Sequence, residues 1–162
     1  ANWAGQEELF QETIRKIESN WRELGSPKVI TACPTCFAML KKNTEIPVET
    51  LYTVFDRIGL PEDAGKGITP QKLAIHDSCT TRHDDQLQDS VRQVLKKLGH
   101  ELEELPLNRD NTTCCGYGGL MIYANREVAH KVMAKRVKES ATDYVAYCAM
   151  CRDNFASQEK RV

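Results

Sequence analysis

This 162-residue sequence has no long hydrophobic run and almost no net charge. No apolar run approaches the roughly 18 residues that a membrane-spanning helix needs. The net charge is −1, from 22 basic and 23 acidic residues, and no basic block stands out. We therefore expect no nucleic-acid partner and no membrane span. A signal peptide is missing as well, because the first apolar residues lie in a charged amphipathic pattern.

Cysteine, in contrast, is abundant, with seven residues in the chain. A secreted disulfide scaffold is usually shorter and has an even number of cysteines at denser spacing. A reducing compartment with metal-bound thiolates fits the composition better, so we predict a cytoplasmic location. The chain opens on Ala1 within a pattern typical of folded sequence, which favours a fragment of a longer protein.

Apolar residues alternate between helical and strand patterns along the chain. Helical spacing predicts helices over residues 7–24, 49–59, 87–98 and 126–140. Short apolar runs predict strands over residues 28–32, 73–76, 101–105 and 144–147. This alternation predicts an α/β fold with a mostly parallel sheet flanked by helices. The Pro- and Gly-containing stretch 61–70 is the best linker candidate.

The cysteines follow the predicted strands. Cys33, Cys79 and Cys148 come directly after a strand, and the pair Cys114-Cys115 follows another strand by a loop. Ligands of parallel sheets gather beyond the carboxyl ends of the strands. We therefore expect all of these cysteines to meet at one edge of one sheet.

Five cysteines form the spacing C-x34-C-C-x32-C-x2-C, from Cys79 to Cys151. Five thiols are one more than a tetrahedral zinc ion uses, and adjacent thiolates suit a site with several irons. The first hypothesis is an iron–sulfur centre. The alternative is a structural zinc domain that uses four of the thiols. A third hypothesis is thiol–disulfide exchange by one C-x2-C pair.

Several residues near these cysteines are candidates for supporting roles. Gly116, Gly118 and Gly119 let the backbone approach a cofactor and direct N–H groups at sulfur. His76 is a candidate hydrogen-bond donor or proton carrier, with a purely structural role as the alternative, and His83 is a weaker candidate. The basic run 131–138 lies on a helix in which Val132, Met133 and Val137 are expected to face inward, and it is predicted to be a solvated face.

An internal repeat is also present. The order helix, strand, C-x2-C occurs before Cys33-x2-Cys36 and again, 115 residues later, before Cys148-x2-Cys151. We expect residues 1–66 to hold the C-terminal half of a first repeat with a linker. Residues 67–162 then form a complete second repeat, and the two pack as one compact unit.

The order His76-Asp77-Ser78-Cys79, Cys114-Cys115-Gly116-Tyr117-Gly118-Gly119 and Cys148-x2-Cys151 resembles the cysteine-rich CCG domain. That family includes heterodisulfide reductase subunits B and D. It also includes the iron–sulfur subunits of glycolate oxidase and anaerobic glycerol-3-phosphate dehydrogenase, and lactate-utilisation proteins. The resemblance covers about residues 72–153 completely, and residues 1–40 resemble the second half of a preceding CCG unit.

The resemblance implies a [4Fe–4S] cluster, of the unusual non-cubane type that heterodisulfide reductase holds. Its ligands would be Cys79, Cys114, Cys115, Cys148 and Cys151, whereas Cys33 and Cys36 match only the last pair of an incomplete set. Zinc remains the alternative metal, because some family members keep zinc in one repeat. The implied function is electron transfer within a heterodisulfide reductase-like oxidoreductase, as a redox domain or subunit rather than a complete enzyme. Its partners would be flavin- or ferredoxin-type domains and a small disulfide or quinone acceptor.

Overall fold

A computed structural model describes residues 2–162 of the chain. Within this range the helices are α1 Glu7–Glu23, α2 Pro34–Asn43, α3 Leu51–Ile58, α4 Asp85–Lys97, α5 Met121–Ala124, α6 Arg126–Val137 and α7 Ala149–Ala156. The strands are β1 Val29–Thr31, β2 Val48–Thr50, β3 Lys72–His76, β4 Glu101–Glu104 and β5 Tyr144–Ala146. We refer to residues 2–66 as the first region and to residues 67–162 as the second region.

The strands form two parallel sheets, which confirms the α/β class. One sheet has the order β4-β3-β5, with Ile75 of β3 level with Glu104 and Val145. The other consists of β1 and β2 alone, with Val29 level with Val48. The expectation of a single sheet was therefore wrong: β1 pairs with β2, a strand of three residues that is too short to leave a periodic signal.

The largest part of the core surrounds β3. Ala74 packs with Tyr144 and Phe155 on one face of the strand, and Ile75 packs with Leu87 of α4 on the other face. Both β3 residues are fully buried. A strand buried on both faces reads as a continuous apolar run, which is why the sequence located β3 accurately.

The first region packs onto this core through α3. The ring of Tyr52 lies edge-on to that of Tyr147, with centroids 5.8 Å apart, and its hydroxyl donates to the Tyr147 carbonyl at 3.3 Å. Lys97 of α4 donates to the Asp56 carboxylate at 2.9 Å. A two-stranded sheet is marginally stable alone, so this packing stabilises the first region.

Side-chain caps determine where α3 and α6 begin. The helix predicted from residue 49 begins at Leu51, because the Thr50 hydroxyl accepts from the Thr53 N–H at 3.1 Å. Asn125 caps α6 in the same way by accepting from the Val128 N–H at 3.1 Å. Short helices at the two C-x2-C pairs, α2 and α7, were not predicted from periodicity. None of the helices in residues 2–162 is both long and apolar enough to cross a membrane.

Candidate metal centre

The cysteines lie on segments that leave the carboxyl ends of strands. Cys33 and Cys148 are the N-cap residues of α2 and α7, each with extended backbone after its strand. Cys79 starts a short 3-10 turn just past β3, where the Ser78 side chain caps the turn. In this way β1, β3 and β5 deliver cysteines to the same end of the molecule.

The five cysteines of the C-x34-C-C-x32-C-x2-C set interact with one another in a continuous series. Cys114 interacts with Cys79 and with Cys115, and Cys151 interacts with Cys115 and with Cys148. Cys115, Cys148 and Cys151 are buried, whereas Cys79 and Cys114 are half-buried. We call this series the thiol string. The structure thus brings together every member of the predicted set, although the members come from three separate segments.

Two of the five thiols in the thiol string favour the thiolate form. Donation by Cys115 and Cys79, and by the backbone N–H groups of Gly116 and Gly118, lowers the pKa of Cys114 to about 2. Donation by Cys151 lowers the pKa of Cys148 to about 5.

The remaining three thiols of the string are held in the protonated form. Donation to Cys114 raises the pKa of Cys115 to about 11 and, together with burial, raises the pKa of Cys79. Interaction with Cys115 and Cys148, together with burial, raises the pKa of Cys151. Because metal ligands must be thiolates, these three must lose their protons when they bind metal.

Two of the three predicted glycines are required by close contacts. A Cβ at Gly116 would overlap Met133 Cγ and lie 2.8 Å from the Ala129 carbonyl oxygen, and the φ angle of Gly116 is +96°. A Cβ at Gly118 would lie 2.9 Å from the sulfur of Cys114. The Gly116 N–H donates to that same sulfur at 3.3 Å. Gly119 has no atom within 4 Å of such a Cβ, so only its φ of +54° favours glycine there.

Cys33 and Cys36 lie beside the thiol string without joining it. Cys36 is exposed and Cys33 is half-buried. Burial raises the pKa of Cys36, and so do the neighbouring thiols Cys33 and Cys148. Between the two C-x2-C pairs, the Thr35 hydroxyl lies 3.8 Å from the sulfur of Cys148. All seven cysteines therefore gather in one place, although their strands belong to two sheets.

The donor chemistry fits an iron–sulfur group. Thiols are the ligands that such clusters use, and backbone N–H groups pointing at sulfur are the contacts that tune them. Gly118 keeps the space beside Cys114 free of a side chain. Within residues 2–162, no three His, Cys, Asp or Glu side chains are grouped so that they could hold one metal ion.

His76 lies close to the thiol string as a neutral side chain. Burial, with a contribution from Arg136, lowers its pKa to about 3, so it is not a proton carrier near neutral pH. Its Nδ1 accepts from Arg136 Nε at 3.1 Å, and its Nε2 is buried without a partner. Arg136 is 1% exposed, so the prediction that the basic run 131–138 is wholly solvated was wrong. Local periodicity carries no signal for this pairing across 60 residues.

Two further residues of the sequence analysis lie away from the thiol string. The His83 ring is exposed and faces Asp110, with Nδ1 3.3 Å from the carboxylate. Val128, one of the apolar residues that predicted α6, is 40% exposed. The buried face of α6 consists instead of Ala129, Met133 and Arg136.

Asp77 is a site residue that the sequence pattern did not single out. It is fully buried and bonds to both terminal nitrogens of Arg92, at 3.0 and 2.8 Å. Burial opposes its ionisation, but the hydrogen bonds from Arg92 and from the Arg109 N–H prevail and lower its pKa. Its position two residues before Cys79 was the only available signal, since nothing local marks Arg92 as its partner.

Comparison with known proteins places these cysteines in a recognised family of domains. The family model of the CCG cysteine-rich domain matches residues 2–41 and 73–155. The chain is 27% identical over 150 residues to the EtfAB:quinone oxidoreductase of Syntrophomonas wolfei, covering 86% of the chain and 21% of that protein. It is 26% identical over 144 residues to the probable iron-sulfur-binding oxidoreductase FadF of Bacillus subtilis, covering 84% of the chain and 20% of that protein.

A third relative matches a shorter stretch. The glycolate oxidase iron-sulfur subunit of Escherichia coli is 34% identical over 62 residues, covering 38% of the chain and 14% of that protein. The chain thus spans about a fifth of the length of the two relatives that it matches over most of its own length. No solved structure matches it. The family match extends over most of the residues, and the chain belongs to the CCG cysteine-rich domain family.

Proposed function

We propose that the thiol string holds an iron–sulfur cluster and that the chain is an electron-transfer module of a heterodisulfide reductase-like oxidoreductase. The observation that carries the proposal is the continuous contact among five thiols from three segments, with backbone N–H groups directed at their sulfurs. When bound, a [4Fe–4S] group, cubane or non-cubane, supplies one-electron redox chemistry. The names of the relatives, iron–sulfur and quinone oxidoreductases among them, support the same class.

In this proposal the first region is the C-terminal half of a first CCG repeat with a linker, and the second region is a complete repeat. The two separate matched blocks, residues 2–41 and 73–155, support this division. Cys33 and Cys36 then form an incomplete ligand set at the rim of the complete one. All seven cysteines are free thiols, which fits the reducing cytoplasm.

The acceptor in this proposal is a small disulfide or a quinone. The thiols border a cavity of about 60 Å³, which Cys79, Cys115, Cys148 and Cys151 line together with Trp3 and Thr35. Trp3 and Thr35 also line a neighbouring apolar groove of about 390 Å³, beside Phe10, Met39 and Leu120. A ligand in this groove would lie next to the cluster, and electrons would arrive from a flavin- or ferredoxin-type partner.

Reduction of either acceptor consumes two electrons and two protons, to give two thiols or a quinol. A series of hydroxyls along the cavity wall offers a route for the protons. Ser78 Oγ lies 2.8 Å from Thr80 Oγ1, which lies 3.4 Å from Thr35 Oγ1. In the proposed mechanism the chain therefore orients the acceptor with the groove and delivers protons through these hydroxyls.

The test is re-oxidation of the reduced, anaerobically purified protein by a small disulfide or by a soluble quinone, followed at the cluster's visible absorption and by EPR. We expect one of the two acceptors to re-oxidise the protein. Met39→Trp, which fills the groove, should slow that reaction at unchanged iron content. Leu9→Trp is the matched control, since Leu9 is exposed on α1 and does not line the groove. A colourless zinc protein, or re-oxidation that neither acceptor accelerates, would refute the proposal.

A further inference from the structure

One buried carboxylate contacts all three segments that carry the thiol string. These segments are far apart in sequence: Cys79 follows β3, Cys114-Cys115 lies in the loop after β4, and Cys148-x2-Cys151 follows β5. Loops that carry ligands must be fixed relative to one another, because a cluster tolerates little variation in sulfur positions. Asp77 lies where the three segments meet and is fully buried.

Four donors saturate the two carboxylate oxygens of Asp77. Oδ1 accepts from the Tyr147 hydroxyl at 2.9 Å and from Arg92 Nη1 at 3.0 Å. Oδ2 accepts from Arg92 Nη2 at 2.8 Å and from the Arg109 backbone N–H at 2.8 Å. The backbone carbonyl of Asp77 also accepts from the Thr112 hydroxyl at 2.7 Å.

These partners belong to the ligand-bearing segments. Tyr147 immediately precedes Cys148, Thr112 precedes Cys114 by two residues, and Asp77 itself precedes Cys79 by two. We propose that Asp77 is a positioning residue that fixes the three cysteine-bearing segments relative to one another. The proposal rests on the proposed function, because the geometry that Asp77 fixes is that of the proposed cluster ligands.

The position requires a carboxylate rather than another polar group. Arg92 is 4% exposed and also pairs with Glu104, its Nε lying 2.7 Å from Glu104 Oε1. Removing the Asp77 charge would leave a buried guanidinium with one of its two carboxylates missing. An amide in this place offers one acceptor oxygen where two are used, so two of the four donors would face an NH₂ group.

The test compares Asp77→Asn with Val94→Ala in the protein purified without oxygen. Val94 is buried on α4, which carries no cysteine, so its truncation lowers stability without altering a ligand-bearing segment. Iron loss to a chelator is timed under conditions in which circular dichroism shows both variants to be folded, and EPR spectra of the reduced protein are recorded. In the metal-free chain, alkylation rates of Cys79, Cys114 and Cys148 are measured separately.

We expect Asp77→Asn to lose iron about 10-fold faster than the unsubstituted protein, since residues that orient metal ligands have effects of this size. Its EPR spectrum should change, and all three thiols should be alkylated faster. Val94→Ala should change none of these at matched stability. Tyr147→Phe, which removes one donor and is the milder change, should shift iron loss in the same direction and should add nothing in the Asp77→Asn background.

If Asp77→Asn does not fold, Tyr147→Phe decides the question by the same measurements. Iron loss, EPR spectra and alkylation rates equal to those of Val94→Ala would overturn the role of Asp77 while leaving the cluster in place. An unsubstituted protein without iron would instead refute the proposed function. In that case the alkylation rates still test whether Asp77 holds the three segments together.

Discussion

The two regions contain the same local unit in different surroundings. In each, a short strand leads to a cysteine that caps a helix, with the second cysteine one turn later: β1, Cys33 and α2 in the first region, and β5, Cys148 and α7 in the second. Cys36 is exposed, whereas the equivalent Cys151 is 3% exposed and interacts with two other thiols. A C-x2-C pair at the start of a helix thus has the same local structure in both regions. The cysteines that surround the pair determine what it can bind.

The second region also buries more apolar side chains than the first. The described part of the first region buries four apolar side chains, Phe10, Ile14, Ile46 and Val54, whereas the second region buries fourteen. Apolar burial is the main source of stability, so the second region folds around its own core and the first region depends on contact with it. The buried thiols belong to the region with the larger core.

The sharpest test of the comparison exchanges one thiol for a hydroxyl in each region. Cys115→Ser should remove most of the iron, because Cys115 lies at the centre of the thiol string and serine is a poor ligand for iron–sulfur clusters. Cys36→Ser should leave the iron content unchanged, since Cys36 lies outside the string. Iron analysis of both variants after anaerobic purification measures the difference. Equal losses would show that the seven cysteines act as one site.

Glycine substitutions should separate the regions by free energy of unfolding. Gly116→Ala should lower the free energy of unfolding by about 3 kcal/mol or more, because overpacking against Met133 and Ala129 adds to the strain of a positive φ. Gly25→Ala in the first region, also at positive φ but with open space around the added methyl group, should lose only about 1–2 kcal/mol. Urea titration of both metal-free variants compares the two losses. Equal losses would mean that α6 and the Cys114-Cys115 loop move apart easily.

Acid should destabilise the second region first, because the buried His76 lies there. The pKa of His76 is lowered to about 3 in the folded chain, so the unfolded chain binds the extra proton below about pH 6.5. The free energy of unfolding should therefore fall as the pH drops from 6.5 towards 3, by up to about 1.4 kcal/mol per pH unit.

Urea titrations of the metal-free chain at several pH values measure this slope. His76→Gln, which keeps an acceptor for Arg136, should flatten it, whereas Val94→Ala should lower the curve by a constant amount. An unchanged slope in His76→Gln would exclude His76 as the source of the acid sensitivity.

The smallest effect concerns the contact between the two C-x2-C pairs. Thr35→Val removes a hydroxyl 3.4 Å from Thr80 Oγ1 and 3.8 Å from the Cys148 sulfur, and both distances are long. We expect a loss of less than about 1 kcal/mol in the free energy of unfolding and no loss of iron. A fall in iron content comparable to that of Cys115→Ser would mean that the first region is part of the ligand shell.

The strongly apolar strands and the gathering of the cysteines could be predicted from the sequence. β3 was predicted because both of its faces are buried, and the gathering of the five thiols followed from strands that all end at cysteines. The glycines of the Cys114-Cys115 loop were recognised from their spacing, although only Gly116 and Gly118 turned out to be closely packed.

Contacts between distant polar residues could not be predicted. Asp77 meets Arg92 across 15 residues, and Arg136 meets His76 across 60, so neither pair leaves a periodic trace. Arg136 looked like part of a solvated basic face because it lies in a basic run with Lys131, Lys135 and Lys138. β2 was missed because three residues are too few for an alternating pattern, and with it the division into two sheets was missed.

The central claim is that the thiol string binds an iron–sulfur cluster, and its most direct test is chemical analysis of the protein purified without oxygen. Iron, zinc and acid-labile sulfide are determined per chain. We predict several irons with a matching amount of sulfide and no stoichiometric zinc. One zinc per chain without sulfide would contradict the account and assign the same thiols to a structural site.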